Sequence, residues 1–465
     1  MHSDASNINR PDSLSTGIGF HRSPEGELLC EDVRLTDLAR EFGTPLYVYS
    51  RAAVAERFRA YEAAFGDTPH QVCYAVKASS TKGVLELLAS LGAGFDCVSG
   101  GEILRALEAG GDPKKIVYSG VAKGETDIAF ALNAGIRCFN IESPAELDRI
   151  NAIAETLGHV AHVSVRVNPN IDAHVDAHVA TGLGDSKFGV KLTDVVALYE
   201  KAAKLPAIEI EGISCHIGSM VESTEPFMKA VDVLAGFVNE LARRGIVLSH
   251  IDLGGGAGVK YHPDDKLLEP AELIPALVAR VAEKVDVKGI EIFVEPGRSL
   301  IAQSAVLLTT VEYLKSGLFL RRFCIVDASM TELVRPAMYG SYHSIEPVIP
   351  NTKAQRQVLN IVGGVCESTD FLGNDRDLAV EAGDLLAIRT AGAYGASMAS
   401  TYNSRPLPME VMVDGANVLP MRRPQTALDL TRDELPLGLA GDTSAAAEGA
   451  RALFGEALEF ARSRR

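Results

Sequence analysis

A lysine in an apolar segment is the first residue whose setting suggests covalent chemistry. Lys77 ends the segment Cys73-Tyr74-Ala75-Val76-Lys77. Burial of a lysine lowers the pKa of its amine, and a neutral amine can form a Schiff base with a carbonyl compound. A lysine that extends from a strand end into solvent is an equally good interpretation of this residue alone.

Two later motifs are suited to binding anions and to controlling protonation. Gly254-Gly255-Gly256 follows Asp252-Leu253, and its backbone N–H groups could turn towards a phosphate, although a flexible loop is the alternative. Glu295-Pro296-Gly297-Arg298 places a carboxylate three residues before a guanidinium. Glu295 could keep a pyridine nitrogen protonated while Arg298 binds an anionic group, or the two could form a local ion pair.

His216 lies at the end of another apolar segment, directly after Cys215. Neighbouring residues on a strand point to opposite faces, so the two do not form a nucleophile–base pair. His216 is placed to stack on an aromatic cofactor, and a core histidine is the alternative.

A group of histidines and acids lies in the turn-rich segment 168–189. His174 and His178 have Asp172 and Asp176 nearby. The segment has no helical face and lacks the glutamate of a zinc-protease motif, so we predict a solvated loop and no metal site.

Amphipathic helical segments, among them Pro144–Leu157, alternate from Gln71 to Ile301 with eight short β-branched segments. They are Tyr74–Lys77, Phe95–Val98, Ile116–Ser119, Cys138–Ile141, Val163–Val167, Gly212–His216, His250–Leu253 and Ile292–Glu295. Eight strand–helix units predict a (β/α)8 TIM barrel, and a doubly wound open sheet is the competing architecture. The position of the chemical residues favours the barrel, because strand ends that converge on one mouth bring Lys77 close to Glu295.

The pattern changes after Ser304, where strands follow one another without helices. The predicted strands are Ala305–Leu314, Arg322–Asp327, Gln357–Val365, Asp384–Thr390 and Met409–Val413. We therefore predict an α/β barrel followed by a C-terminal β-domain. The expected boundaries are a partly disordered N-terminal segment at 1–45, the barrel at 46–303, the β-domain at 304–435 and a helical extension at 436–465.

Composition excludes several classes of protein. The chain has 45 Lys and Arg against 61 Asp and Glu, a net charge of -16, which argues against a nucleic-acid partner. No apolar run approaches the ~18 residues of a membrane helix. Seven scattered cysteines without a CxxC pair, and no recognisable secretory signal, predict a cytoplasmic protein with free thiols.

The motifs together resemble those of the pyridoxal-phosphate-dependent decarboxylases of the alanine-racemase-like barrel fold. Those in the barrel are Tyr74-Ala75-Val76-Lys77-Ala78, His216-Ile217-Gly218-Ser219, Gly254-Gly255-Gly256 and Glu295-Pro296-Gly297-Arg298. Three further motifs are similar to those of the diaminopimelate decarboxylases: Gly364-Val365-Cys366-Glu367-Ser368-Thr369-Asp370-Phe371-Leu372, Gly392-Ala393-Tyr394-Gly395 and Tyr402-Asn403-Ser404-Arg405-Pro406. The resemblance runs from about Glu31 to Leu430. It departs at Ser79-Ser80-Thr81, where the family often has Asn, and beyond Leu435.

The resemblance implies a pyridoxal 5'-phosphate site in the barrel. Lys77 would carry the cofactor, His216 would stack on its ring and Glu295 would meet its pyridine nitrogen. The residues implied to contact the cofactor besides these are Gly254, Gly255, Gly256, Pro296, Gly297, Arg298 and Tyr394.

The resemblance also implies how an amino-acid substrate is bound. Arg298, Arg335 and Tyr339 would bind its carboxylates, and Tyr394 would touch both cofactor and substrate. From the partner subunit of a homodimer, Cys366 would donate a proton and Glu367 would bind the distal ammonium group. Lys77, Cys366 and His216 are thus the expected catalytic residues.

The implied reaction is decarboxylation of meso-2,6-diaminopimelate to L-lysine and CO2, the last step of lysine biosynthesis. Two alternatives remain open at this point. The chain could be a related decarboxylase for arginine, ornithine or a carboxylated polyamine, or it could be a non-catalytic protein that binds pyridoxal phosphate.

Overall fold

The computed structural model describes residues 19–172, 186–286, 288–318, 321–435, 437 and 444–463. Its described residues form two compact units. One comprises Arg51–Ser304 and Gly392–Ser397, and the other takes its residues from Met1–Ser50, Ala305–Ala391 and Met398–Arg465. His174, Asp176 and His178 lie outside the described residues.

The described chain begins with short strands and one helix. These elements are β1 (Phe20–Arg22), β2 (Leu28–Cys30), β3 (Val33–Arg34), α1 (Leu35–Phe42) and β4 (Leu46–Ser50). The first three strands form an antiparallel sheet. All five residues of β4 are buried, which is consistent with its place inside a larger sheet described below.

The first unit is a closed barrel of eight parallel strands, as counted among the described residues. The strands are β5 (His70–Ala75), β6 (Gly94–Cys97), β7 (Ile116–Tyr118), β8 (Cys138–Ile141), β9 (Ala161–Arg166), β10 (Ile208–Ser214), β11 (His250–Asp252) and β12 (Glu291–Val294). The last strand pairs with the first, Ile292 being opposite His70. This closure confirms the predicted TIM barrel and excludes the open sheet.

Helices alternate with the barrel strands. They are α2 (Arg51–Phe65), α3 (Lys82–Ser90), α4 (Gly100–Glu108), α5 (Glu125–Ala134), α6 (Pro144–Leu157), α7 (Val195–Ala202), α8 (Glu225–Arg243), α9 (Pro270–Lys284) and α10 (Arg298–Ile301). Local sequence sets their ends: at α6, the Ser143 side chain accepts a hydrogen bond from the N–H of Glu146, and Gly158 ends the helix in the left-handed conformation.

The second unit is built on a nine-stranded sheet, counting described strands only. After the barrel come β13 (Ala305–Ser316), β14 (Arg322–Val326), α11 (Arg335–Tyr339), β15 (Ile345–Pro347), β16 (Arg356–Val362), β17 (Phe371–Ala379), β18 (Leu385–Ile388), β19 (Met409–Asp414), β20 (Asn417–Arg422), α12 (Ala427–Leu430) and α13 (Ser444–Ser463). The expected β-domain is therefore confirmed as an element of the fold. Strand β4 lies between β13 and β19 in this sheet.

The two units differ from the four segments predicted from sequence. The described parts of the N-terminal segment and of the C-terminal extension belong to the β-domain unit, and two short segments also change unit. Leu46–Ser50 belongs to the β-domain unit because it pairs with β13 and β19. Gly392–Ser397 belongs to the barrel unit, where the N–H of Tyr394 donates to the carbonyl oxygen of Ala78 at 2.7 Å. Pairing with residues far along the chain decides both assignments, and local sequence does not reveal such pairing.

No helix among the described residues combines the length and the apolar character needed to cross a bilayer.

Candidate active site

Lys77 lies in a short 3-10 turn directly after β5. Its Nζ is 2.6 Å from Oδ2 of Asp96, which is fully buried on the neighbouring strand β6. Burial lowers the pKa of Lys77, but the negative charge of Asp96 and their hydrogen bond outweigh it, so the pKa is raised. This is opposite to the lowered pKa expected for a lysine in an apolar setting, because the sequence did not reveal the acid beside it.

Two further acids are buried where β11 and β12 end. Asp252 and Glu295 are 1% and 9% exposed. Burial raises the pKa of Asp252 to about 6. Burial, followed by the charge of Asp252, raises the pKa of Glu295 well above its usual value. The pair therefore retains a proton near neutral pH.

The two acids have few donors besides each other. Oδ1 of Asp252 accepts a hydrogen bond from the N–H of Gly254 at 2.9 Å. Oδ2 of Asp252 and Oε1 of Glu295 are buried and accept no hydrogen bond from any other described residue, so the proton that the pair retains serves the hydrogen bond between the two side chains. A buried acceptor without a donor is costly, so Glu295 is suited to meet a cationic N–H group of a ligand.

His216 and the glycine motif form one continuous surface. The N–H of Gly255 donates to Nδ1 of His216 at 3.2 Å. Burial first, and then the positive charges of Arg166 and Lys77, lower the pKa of His216 to about 3. The ring is therefore neutral at physiological pH, which favours stacking against an aromatic cofactor over general-acid chemistry.

Glycine is required in this motif by both space and backbone conformation. A Cβ atom on Gly255 would lie 2.1 Å from the carbonyl oxygen of Glu295, which no side chain tolerates. Gly256 has φ +118°, a conformation that other residues rarely adopt. The N–H groups of Gly254 and Gly255 bond to Asp252 and His216, so phosphate binding by the motif stays a prediction.

Arg298 is buried, with 7% of its surface exposed, and three contacts hold its guanidinium group in place. Its Nε donates to Oγ of Ser219 at 3.0 Å, and Nη1 donates to the hydroxyl of Tyr261 at 2.9 Å. The guanidinium also lies 4.7 Å from the centre of the Tyr394 ring. A fixed guanidinium against an aromatic ring is suited to a carboxylate or phosphate.

The structure thus places ten of the predicted site residues in the barrel unit and four in the β-domain unit. Those four are Arg335, Tyr339, Cys366 and Glu367. Arg335 and Tyr339 begin and end α11, and the buried Arg335 has Nη1 2.8 Å from Nε2 of His343. Cys366 is the one exposed residue among the seven cysteines, and Glu367 beside it is also exposed.

Sequence reasoning missed several polar residues near Lys77 and His216. Asp96 and Asp252 were given no role, and neither was Arg166, whose charge lowers the pKa values of His216 and Asp96. Nη1 of Arg166 is 3.0 Å from Oε1 of Glu142. A signal was present, since each of the three is a charged residue at the end of an apolar strand, as Lys77 is.

Comparison with known proteins places this geometry in a family. The model of the pyridoxal binding domain of pyridoxal-dependent decarboxylases matches residues 51–302. Diaminopimelate decarboxylase of Pseudomonas aeruginosa is 46% identical over 410 residues, which is 88% of this chain and 97% of that protein. The chain belongs to the diaminopimelate decarboxylases. It is thus a pyridoxal-phosphate-dependent carboxy-lyase, and the resemblance inferred from the motifs is confirmed.

Two solved structures agree with this assignment. The crystal structure of diaminopimelate decarboxylase from M. jannaschi has a TM-score of 0.86 and 35% identity, and the match covers 90% of this chain and 99% of that one. The Helicobacter pylori enzyme complexed with L-lysine has a TM-score of 0.81 and 38% identity, covering 86% and 98%. Family, cofactor class and fold therefore agree.

The barrel residues fit pyridoxal phosphate. The cofactor needs an amine for attachment, an acid for its pyridine nitrogen, a flat contact for its ring and donors for its phosphate. The buried oxygen of Glu295 is the most specific match, because apart from Asp252 no described residue hydrogen-bonds to it, and a protonated pyridine nitrogen would supply a donor.

Proposed function

We propose that this chain decarboxylates meso-2,6-diaminopimelate to L-lysine and CO2, the last step of lysine biosynthesis. The observation that carries the proposal is the group of Lys77, Asp96, Asp252 and Glu295 at the strand ends of the barrel. The names of the similar proteins support the substrate, and the bound L-lysine in the Helicobacter pylori structure supports the product.

In this proposal Lys77 holds the cofactor and Glu295 meets its pyridine nitrogen. Bound pyridoxal phosphate supplies an electron sink for the charge left on the substrate carbon when CO2 departs. Asp96 orients the Lys77 amine through the 2.6 Å contact, and the neutral His216 covers the ring. Gly254 to Gly256, with Pro296 and Gly297, bring backbone close to the cofactor, and Tyr394 contacts it beside Arg298.

The remaining predicted residues bind the substrate and move a proton. Arg298, Arg335 and Tyr339 bind carboxylates, since guanidinium and phenol groups donate well to such oxygens. Glu367 binds the distal ammonium group. Cys366 returns a proton to the substrate carbon, which agrees with the exposure of this thiol.

We also propose that the enzyme is a homodimer in which Cys366 and Glu367 serve the barrel of the partner subunit. Their exposure on the β-domain unit makes them available to a second chain.

All seven cysteines are free thiols, which supports a reducing compartment and hence the cytoplasm.

Release of CO2 from a set of amino acids tests the function. We expect the purified holoenzyme to release CO2 from meso-2,6-diaminopimelate and to form L-lysine in equal amount. Arginine, ornithine and L-lysine are the comparison substrates, because each presents an α-amino carboxylate without the distal zwitterion.

Two results would contradict the proposal in different ways. Faster CO2 release from arginine or ornithine would assign the chain to a related decarboxylase. Visible cofactor absorbance without CO2 release from any of these substrates would instead support a non-catalytic pyridoxal-phosphate protein.

A further inference from the structure

The turn Tyr402–Ser404 has an unusual backbone. Asn403 and Ser404 have φ values of 55° and 53°, in the left-handed region that residues other than glycine occupy uncommonly. Two successive residues in this conformation carry a cost that persists only where surrounding contacts fix it.

The following residue anchors the turn in the β-domain. Arg405 donates from Nη2 to the carbonyl oxygen of Asp327 and from Nε to Oγ1 of Thr331 at 3.1 Å. Its Nη2 is also 3.5 Å from Oε2 of Glu332. Thr331 and Glu332 are 1% and 2% exposed, so the turn is attached to a rigid part of the unit.

The other side of the turn contacts the two β-domain residues with proposed catalytic roles. The hydroxyl of Tyr402 donates to Oε1 of Glu367 at 2.7 Å. Oδ1 of Asn403 accepts a hydrogen bond from the N–H of Cys366 at 3.2 Å. Both bonds are solvent-exposed, so burial of apolar surface does not explain why the turn is placed here.

The loop that carries Cys366 and Glu367 is fixed at its two ends by one acid. Asp370 accepts hydrogen bonds from the N–H groups of Val365 at 2.8 Å and Met330 at 2.7 Å. The residues between Val365 and Asp370 are exposed. Within the loop, the N–H of Asp370 also donates to the carbonyl oxygen of Glu367 at 3.1 Å. Tyr402 and Asn403 bond to Glu367 and Cys366 from outside the loop, so they contribute to the orientation of its exposed part.

We infer that Tyr402 and Asn403 are positioning residues of the decarboxylase: Tyr402 orients the carboxylate of Glu367 for the distal ammonium group, and Asn403 holds the backbone of Cys366. This inference rests on the proposed function, in which Glu367 and Cys366 meet substrate. The division of roles follows from chemistry, because one contact is made to a binding carboxylate and the other to the residue that donates a proton.

Replacing Tyr402 with Phe tests the first role. The variant keeps the ring and loses the hydroxyl donor, so we expect KM for meso-2,6-diaminopimelate to rise about three- to tenfold with little change in kcat. Tyr313→Phe is the control, because Tyr313 is a 66% exposed tyrosine of β13 remote in sequence from the turn. Its kinetic constants and melting temperature should equal those of the wild type.

Replacing Asn403 with Gly tests the second role. Glycine accepts the left-handed backbone and removes the side-chain amide that binds Cys366 and also contacts Tyr402. Ser404→Gly gives the same backbone freedom and leaves that amide in place. We expect Asn403→Gly to lower kcat and to speed alkylation of the Cys366 thiol. Ser404→Gly should change both kcat and the alkylation rate of Cys366 less than Asn403→Gly does.

The outcomes separate this inference from the proposed function. An unchanged KM in Tyr402→Phe, or equal alkylation rates in the two glycine variants, would overturn the corresponding role. If the wild-type enzyme does not decarboxylate diaminopimelate, the proposed function is wrong, and the alkylation comparison decides the inference by itself. A lowered melting temperature with normal KM and alkylation rate would show a purely structural turn.

Discussion

Residues around Lys77 set one another's protonation. Asp96 raises the pKa of Lys77, and burial raises the pKa values of Asp252 and Glu295. Burial lowers the pKa of His216 to about 3. The protonation of these groups is therefore coupled, and removing the charge of one group changes the pKa values of its neighbours.

Asp96→Asn tests the coupling with Lys77. Because the charge of Asp96 raises the pKa of Lys77, its removal lowers that pKa and leaves more neutral amine at a given pH. We expect uptake of pyridoxal phosphate by the cofactor-free variant, followed by visible absorbance, to reach its half-maximal rate at a lower pH. Asp148→Asn is the control, since Asp148 pairs with the surface Lys201. If the wild type, Asp96→Asn and Asp148→Asn take up the cofactor with the same dependence on pH, the coupling between Asp96 and Lys77 is contradicted.

Glu295→Gln tests the acid assigned to the pyridine nitrogen. The amide keeps the shape of the side chain but cannot carry the charge that stabilises a protonated ring. Cofactor absorbance should persist while kcat falls about 100-fold or more. Near-normal turnover with bound cofactor would remove Glu295 from this role.

The buried His250 is expected to make the free energy of unfolding depend on pH. The ring is fully buried, stacks on Phe293 at 4.3 Å, and neither nitrogen has a hydrogen-bond partner among the described residues. Burial lowers its pKa to about 3 from 6.5, so the stability associated with the neutral ring is present above pH 6.5 and is lost as pH falls.

The loss attributable to His250 should be about 2 kcal/mol between pH 7 and pH 5. Urea unfolding of His250→Asn at both pH values should show a smaller acid-induced loss than the wild type. His21→Asn, at an exposed position, is the control and should behave as the wild type does. Equal acid losses in all three would disprove the contribution.

The sequence predicted the site residues whose type contrasts with their surroundings. Lys77 and Glu295 were predicted as site residues because each is a charged residue after an apolar strand. Asp96 has the same contrast within Phe95-Asp96-Cys97 but becomes a partner of Lys77 only when the strand register is known, with Ala75 opposite Asp96. Patterns along the chain identify candidates, whereas pairing across the barrel decides which of them meet.

At the scale of elements, a buried ion pair joins two successive strand–helix units. Nζ of Lys123, in the loop after β7, donates to Oε1 of Glu146 on α6 at 2.6 Å and to the carbonyl oxygens of Gly120 and Asn140, both at 2.7 Å. The Lys123 side chain is 1% exposed. Such a pair fixes loop geometry because the charge of Lys123 is neutralised by Glu146, which lies on the next strand–helix unit.

Lys123→Met should lower the free energy of unfolding by about 3 kcal/mol, since it leaves Glu146 buried without its cation. Burial already raises the pKa of Glu146. The double variant Lys123→Met/Glu146→Gln should recover part of the loss. Lys201→Met, which breaks the exposed pair with Asp148, is the control and should cost less than about 1 kcal/mol. Equal losses from the two single variants would contradict this account.

Elements with a regular apolar pattern were predicted well, and those defined by pairing were not. The helix predicted at Pro144–Leu157 has those bounds in the structure, because capping residues and periodicity act locally. Strand β17 was missed because Phe371–Ala379 is interrupted by Gly373 and several charged residues. Its extended form depends on antiparallel pairing with β16, which no local pattern reports.

At the scale of the whole molecule, the proposed sharing of sites between subunits predicts complementation. Lys77→Ala and Cys366→Ala chains are each expected to be inactive. Refolded together in equal amounts, they should regain about a quarter of wild-type activity, because half of the dimers are hybrids with one complete site each. An inactive mixture in which hybrid dimers are demonstrated would show that Cys366 acts within its own chain.

The central position of β4 affects how the chain can fold during synthesis. Leu46–Ser50 is made early, yet both of its neighbours in the sheet, Ala305–Ser316 and Met409–Asp414, are made more than 250 residues later. On the ribosome this apolar strand waits without its partners while the whole barrel emerges. Long-range pairing of this kind is slow and leaves strand edges open to aggregation, so the nascent chain is expected to need chaperone protection until Asp414 has left the exit tunnel.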